Sequence, residues 1–111
     1  DEEATKPCHI YLVNSGNYDG VYKIGYTCNK SRRIKDIKQD YGVPNAAMTA
    51  TAYVRSLQTA KAVEGELHTM FDKQRVNTYY GQEWFQLSED QVTGIVDFLT
   101  HKNIPLTHEK I

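Results

Sequence analysis

The sequence of 111 residues has no long hydrophobic run and little net charge. No apolar stretch approaches the roughly 20 residues that cross a bilayer, so we expect no membrane span. The first three residues, Asp1, Glu2 and Glu3, are acidic where a secretory signal would be basic, so we expect no intact signal peptide. These features exclude an integral membrane protein and predict an intracellular, cytoplasmic location.

Cysteine is also scarce, with only Cys8 and Cys28 present. Two cysteines are too few for a disulfide-stabilised scaffold, and they lack the paired spacing of a zinc site. We therefore expect both to be reduced. They do flank two strands that we pair below, so a bridge between them is geometrically possible.

The net charge of −1 argues against a protein that coats nucleic acid by bulk attraction. The charges are unevenly distributed, however, because residues 23–39 carry six cations and one anion. Such a stretch can contact a phosphate backbone locally, and it can equally be the solvated face of a helix. The charge pattern alone leaves both interpretations open.

The length and the 40% of hydrophobic residues predict one folded domain with its own core. We assign this domain to residues 8–100. Residues 1–7 are then an N-terminal tail, and residues 101–111 are a C-terminal tail or the start of a linker.

Two runs of β-branched and aromatic residues, 8–13 and 21–26, are separated by a loop of turn-forming residues. This pattern predicts a β-hairpin. Period-two alternation places Ile10 and Leu12 on one face of the first strand and Tyr11 on the other. Each strand therefore combines an apolar face with a face that carries candidates for function.

The rest of the chain alternates helical patterns with short extended segments. Capping residues and apolar positions three and four apart predict helices over about 29–41, 56–73 and 88–99. Alternation predicts a strand over 50–55, and residues 83–87 are predicted to be a short strand or an extended segment. The order ββαβα(β)α implies a small α+β fold, with a three-stranded, mainly antiparallel sheet flanked by helices.

Several charged side chains are candidates for chemistry. Lys23 shares a side of the hairpin with Tyr11 if the strands pair in register, although a strand lysine usually points to solvent. Arg33 can reach over the sheet edge toward that face or extend into water. Glu64 borders the apolar stripe of the second helix, so its carboxylate needs a partner. A divalent cation, Arg33, Lys23 or a lysine at helical spacing would each serve.

Five elements follow one another in a characteristic order. Ile10-Tyr11 is followed after eleven residues by Lys23-Ile24-Gly25, and Arg33 lies eight positions beyond that glycine. Further along are Glu64-Gly65-Glu66-Leu67-His68 and Glu83-Trp84-Phe85. This order resembles the GIY-YIG nuclease superfamily, and in particular a phage-associated branch with K-I-G in place of Y-I-G. The resemblance covers nearly the whole predicted domain.

The resemblance implies hydrolysis of a DNA phosphodiester with one divalent metal ion, Mg²⁺ or Mn²⁺. By position, Tyr11 would contact or deprotonate the attacking water, and Lys23 would hold that water or the scissile phosphate. Arg33 would neutralise charge in the transition state, and Glu64 would bind the metal ion. Gly25 would permit close approach of the backbone.

Two positions depart from the family pattern. His9 stands where the first triplet has glycine, and Ile37 stands where many members have tyrosine or histidine. Because isoleucine offers no hydroxyl or imidazole at position 37, we expect Tyr11, Lys23 and His68 to provide the catalytic groups. A histidine such as His68 can also lie on a helix surface without a role.

The sequence thus predicts a homing endonuclease-like, metal-dependent catalytic domain whose partner is DNA. The predicted phosphate contacts come from the basic stretch, and besides Arg33 they are Lys30, Arg32, Lys35 and Lys38. Target choice is expected to lie in a C-terminal DNA-reading domain absent from this sequence or in a partner, since no helix-turn-helix or zinc finger is present. If the protein is phage-encoded, it would act in the host cell. The alternative, favoured by His9 and Ile37, is a noncatalytic nucleic-acid-binding module on the same fold.

Overall fold

The computed structural model describes residues 7–77, 79, 81, 83–102 and 104, and the backbone of 106–108. Three helices pack against one sheet, as the predicted α+β class requires. The strands are β1 (Cys8–Asn14), β2 (Val21–Thr27), β3 (Ala47–Val54), β4 (Trp84–Gln86) and β5 (Leu106–His108), and the helices are α1 (Lys30–Asp40), α2 (Leu57–Met70) and α3 (Glu89–His101).

In the part of the chain that the structure describes, the sheet has five strands in the order β4-β2-β1-β3-β5, and all neighbours are antiparallel. The prediction of three strands is therefore wrong in number. The two additional strands are each three residues long, which is too short for alternation to reveal. Of these, β4 falls within the segment predicted as a short strand or extended piece, whereas β5 lies in 101–111, where no strand was predicted.

Local capping chemistry defines where the three helices begin. The Asn29 side chain accepts a hydrogen bond from the backbone of Arg32 at the start of α1. Ser56 begins α2 in the same way. Ser88 and Gln91 form a reciprocal capping box at the start of α3. The helices predicted from these patterns are confirmed to within a few residues. Among the described residues, none of the helices combines the length and the apolar character needed to span a membrane.

Both faces of the sheet are buried. On one face, Ile10 of β1 packs with Leu67 of α2 and Leu99 of α3. On the other face, Tyr11 packs with Ile37 of α1. Because successive strand residues point to opposite faces, β1 contributes to both layers of the core. The α1 layer therefore includes a residue that the sequence identifies as a candidate for chemistry.

The two cysteines form a disulfide, with their Cα atoms 4.2 Å apart. The prediction that both are reduced is wrong. The physical reason is the hairpin register, in which His9 of β1 lies opposite Thr27 of β2. Cys8 and Cys28 are the next residues outward on the paired chains, so strand pairing alone brings their side chains together.

We expect this disulfide to stabilise the domain by about 3 kcal/mol, because it closes a loop over a sequence separation of 20 residues and restricts the unfolded chain. The measurement is urea unfolding with and without a thiol reductant. Reduction should lower the midpoint for the wild type and leave a Cys8→Ala/Cys28→Ala variant unchanged. A wild-type unfolding curve that does not respond to the reductant would contradict the bridge.

Candidate active site

Lys23 connects two other side chains through its ammonium group. Its Nζ atom donates a hydrogen bond to the Tyr11 hydroxyl oxygen at 3.0 Å, and it lies 2.6 Å from a carboxylate oxygen of Glu83. Tyr11 is 1% exposed and Lys23 is 3% exposed. Lys23 therefore does not point to solvent, and a buried ammonium needs such partners.

Gly25 lies directly opposite Tyr11 in the β1–β2 register. A Cβ atom at this position would overlap the Tyr11 hydroxyl and the ring carbon that carries it. Because that ring is held in the core, it cannot move aside without disrupting the packing. The glycine of the second triplet thus leaves the space that the tyrosine hydroxyl occupies beside Lys23.

The part of β2 that β4 does not pair positions the other side chains of the site. β4 covers only the first half of β2, and beyond it the Ile24 N–H donates to the Glu83 carbonyl at 3.1 Å. The Ile24 carbonyl accepts a hydrogen bond from Nε2 of His68 at 2.8 Å. Two residues further on, the Tyr26 N–H donates to the Glu64 carboxylate. One strand edge therefore positions Glu64, His68 and Glu83.

These three side chains form a cluster that could hold a metal ion. Each offers one ligand atom, and these atoms all lie within 4.8 Å of one another. Because a carbonyl oxygen can only accept, the Ile24 contact requires that Nε2 of His68 carries a hydrogen. In the neutral ring, Nδ1 then keeps its lone pair. Two carboxylates and an imidazole nitrogen are common ligands of divalent ions.

When no metal ion is bound, the carboxylates of Glu64 and Glu83 repel each other. Burial and the nearby charge of Glu83 raise the pKa of Glu64 from its ordinary value of 4.5 to about 7, against the opposing effect of Lys23. Burial lowers the pKa of His68, only partly offset by its bond to the Ile24 carbonyl, so the ring is neutral at physiological pH. A bound divalent cation would relieve the repulsion between the carboxylates.

Tyr11 and Lys23 keep their protons at neutral pH. Burial raises the pKa of Tyr11, and the Lys23 ammonium offsets this only in part. Burial by itself would lower the pKa of Lys23, but Tyr11 and the Glu83 carboxylate outweigh it and raise the pKa. In the metal-free protein the surroundings of Tyr11 thus favour its protonated form, and the interpretation of Tyr11 as a base stays a prediction. Its hydroxyl is suited to donating a hydrogen bond.

Arg33 is exposed on α1, near this cluster. It is close enough for its charge to oppose the rise in the pKa of both Tyr11 and Glu64. Together with Arg32 it lines a cavity of about 420 Å³ at the start of α1, beside Cys28. Arg33 is thus a solvent-exposed cation whose charge acts on the cluster.

The other cations predicted to contact DNA lie along the same helix. Arg32 and Lys35 are exposed, whereas Lys30 and Lys38 are partly buried. The Arg32 side chain is 81% exposed and lies 4.0 Å from Asp36. The exposed surface of the helix is therefore basic, only Arg33 among these cations acts on the cluster in the described structure, and contact of the helix with DNA stays a prediction.

The structure brings Tyr11, Lys23, Glu64 and His68 together around the edge of β2. No role for Glu83 could be predicted from the sequence, although this residue contacts Lys23 and lies in the same cluster as Glu64. The available signal was an acidic residue directly before the aromatic pair Trp84-Phe85, both of which are fully buried. The packing of these two aromatic side chains fixes the backbone position of the acidic residue that precedes them.

Comparison with known proteins gives one finding. No curated protein and no solved structure matches the chain. The sequence model of the T5orf172 domain, however, matches residues 8–100. Because this match spans most of the chain, the protein belongs to the T5orf172 domain family, a phage-associated family related to nuclease-like folds.

Proposed function

We propose that this chain is the catalytic domain of a metal-dependent DNA endonuclease of the GIY-YIG type. The observation that supports this most strongly is the cluster at the edge of β2. There two carboxylates, an imidazole and a lysine–tyrosine pair meet beside a basic helix. Membership of a nuclease-like family points to nucleic acid as the substrate class.

The residues present fit a divalent metal ion, Mg²⁺ or Mn²⁺, since the half-buried carboxylates carry like charges that a cation would offset. Glu64 would hold this ion. When bound, the ion would polarise a phosphate oxygen and stabilise the additional charge of the transition state.

The protein's own groups would orient the water and the phosphate. Lys23 donates to the oxygen of Tyr11, which leaves the Tyr11 hydroxyl hydrogen free to bond the attacking water or a phosphate oxygen. Because Glu64 would be committed to the ion, the attacking water would lose its proton to bulk solvent. Water then adds to phosphorus, one P–O ester bond breaks, and the leaving oxygen takes up a proton.

Arg33 would stabilise the negative charge of the transition state from the exposed surface near this cluster. A phosphodiester gains negative charge on its non-bridging oxygens as water attacks, and a positioned guanidinium stabilises that charge. Arg33 is exposed and its charge acts on Glu64, so we expect it to approach a phosphate bound at the cluster.

The second candidate is a noncatalytic nucleic-acid-binding module, which the deep burial and raised pKa of Tyr11 favour. Such a module would bind DNA through α1 and release no nicked product at any metal concentration. C-terminal domains or partners that choose the target remain compatible with either candidate.

Arg33 and Arg32 offer a matched test on supercoiled plasmid with Mg²⁺ or Mn²⁺. Arg33→Ala should lower the nicking rate by about 10²–10³-fold, because it removes a stabilising charge from the transition state. Arg32→Ala should lower it only a few-fold. Each variant removes one cation from α1, so DNA affinity and its salt dependence should fall similarly in both.

Comparing the nicking rates of the three proteins with their DNA affinities separates catalysis from DNA binding. Equal nicking by wild type and both variants would show that Arg33 is not in the active site. DNA binding by all three without nicked product would instead support the noncatalytic module.

A further inference from the structure

The cluster at the edge of β2 is a more complete metal site than the family resemblance implies. The resemblance provides one carboxylate, Glu64. The structure adds His68, four residues later on the same face of α2, and Glu83 from the segment that leads into β4. Three side chains from two separate elements therefore converge.

The spacing of the cluster suits one ion. Ligand atoms that share an ion with bonds of about 2.0–2.2 Å lie roughly 3 to 4.4 Å apart. The three ligand atoms here lie within 4.8 Å of one another. All three side chains are partly exposed, so small rotations would bring their atoms to coordination distance.

The backbone of β2 holds the cluster in place. The Ile24 N–H donates to the backbone carbonyl of Glu83, and the Ile24 carbonyl accepts from the His68 ring. A metal-binding histidine commonly donates its second ring N–H to a backbone carbonyl, which fixes the tautomer and the ring orientation. The contact at 2.8 Å between Nε2 of His68 and the Ile24 carbonyl is of this kind, so Nδ1 would be the nitrogen that binds the ion.

The charges also agree with an ion at this place. Lys23 contacts Oε2 of Glu83, so the other oxygen of that carboxylate is free to face the cluster. Two carboxylates and one ammonium leave one negative charge among these side chains. A divalent ion changes that balance to one positive charge, which matches a phosphodiester.

We propose that Glu64, His68 and Glu83 form a three-ligand site that binds a first-row transition ion such as Mn²⁺ in preference to Mg²⁺. An imidazole nitrogen suits transition ions, whereas Mg²⁺ favours an all-oxygen shell. Three protein ligands leave octahedral positions for water and a phosphate oxygen. This inference rests on the proposed function for the role of the ion, because it names the cofactor of the same site.

The test is calorimetric titration of the full chain with Mg²⁺ or Mn²⁺ alone, without DNA and at mildly alkaline pH. We expect Mn²⁺ to bind at least about tenfold more tightly than Mg²⁺. His68→Gln should weaken Mn²⁺ binding at least about tenfold and Mg²⁺ binding much less. Glu83→Gln should weaken both. The control is His101→Gln, at the exposed end of α3, which should change neither.

A second readout needs no variant. In a nitrogen-15 spectrum of the histidine rings, diamagnetic Zn²⁺ should shift the Nδ1 resonance of His68 and leave its Nε2 proton in place. This measurement decides the question if His68→Gln does not fold.

The outcomes separate this inference from the proposed function. Equal affinity for the two ions, unchanged by His68→Gln, or an unshifted Nδ1 resonance, would overturn the three-ligand site even if Mg²⁺ supports nicking. The expected metal binding without any nicking would support the site and count against the nuclease.

Discussion

Glu64→Gln is expected to lower plasmid nicking by at least about 10³-fold. Glutamine has the same shape and its amide oxygen can still accept from the Tyr26 N–H, but it lacks the charge that would bind the proposed ion. A catalytic metal ion supplies several kcal/mol of transition-state stabilisation, and about 4 kcal/mol corresponds to a factor of about 10³. The measurement is the initial nicking rate at saturating Mg²⁺ or Mn²⁺, with a chelator as the blank.

The chain offers a matched control on the same helix. Glu66 lies two residues from Glu64, and its carboxylate pairs with the Lys102 ammonium at 3.1 Å. Glu66→Gln should therefore cut at nearly the wild-type rate. If Glu64→Gln cuts within tenfold of this control, the carboxylate of Glu64 does not hold the catalytic ion.

The same substitution is expected to stabilise the metal-free protein above pH 7. The pKa of Glu64 is raised from 4.5 to about 7, so the folded protein binds this proton more tightly than the unfolded chain. The stability that this group contributes is fully present below pH 4.5 and is lost as the pH rises through 7. Glutamine does not ionise, so Glu64→Gln avoids that loss.

After allowance for solvent screening of a half-buried group, we expect a gain of about 1 kcal/mol, or about 5 °C in Tm, at mildly alkaline pH. Thermal unfolding followed by circular dichroism across the pH range measures this, with a chelator present. The difference should vanish in acid. A divalent ion should then raise the Tm of the wild type and not that of the variant. A variant less stable than wild type in alkali would mean that Glu64 is not desolvated.

The hairpin and the helices could be predicted because their causes are local. Alternation along β1 places Ile10 and Tyr11 on opposite faces, and the structure agrees. Asn29, Ser56 and Ser88 cap helices through bonds to residues only three positions away. Such contacts need no knowledge of the rest of the fold.

The state of Tyr11 could not be predicted in this way. Strand alternation indicates the face on which the ring lies, but not that the α1 layer buries it almost completely. Burial depends on which elements pack together, and here it raises the pKa rather than lowering it. We accordingly propose that Tyr11 acts as a hydrogen-bond donor.

By itself, the sequence determined the α+β class, the hairpin and the side chains that share a face of it, because these follow from periods of two and 3.6 residues. Only the tertiary structure decided that Glu83 joins Glu64 and His68, that the sheet has five strands, and that Cys8 meets Cys28. Each of these depends on pairing between segments distant in the chain. The part of β2 that β4 leaves unpaired brings the candidate ligands together, and this part exists only when the sheet is assembled.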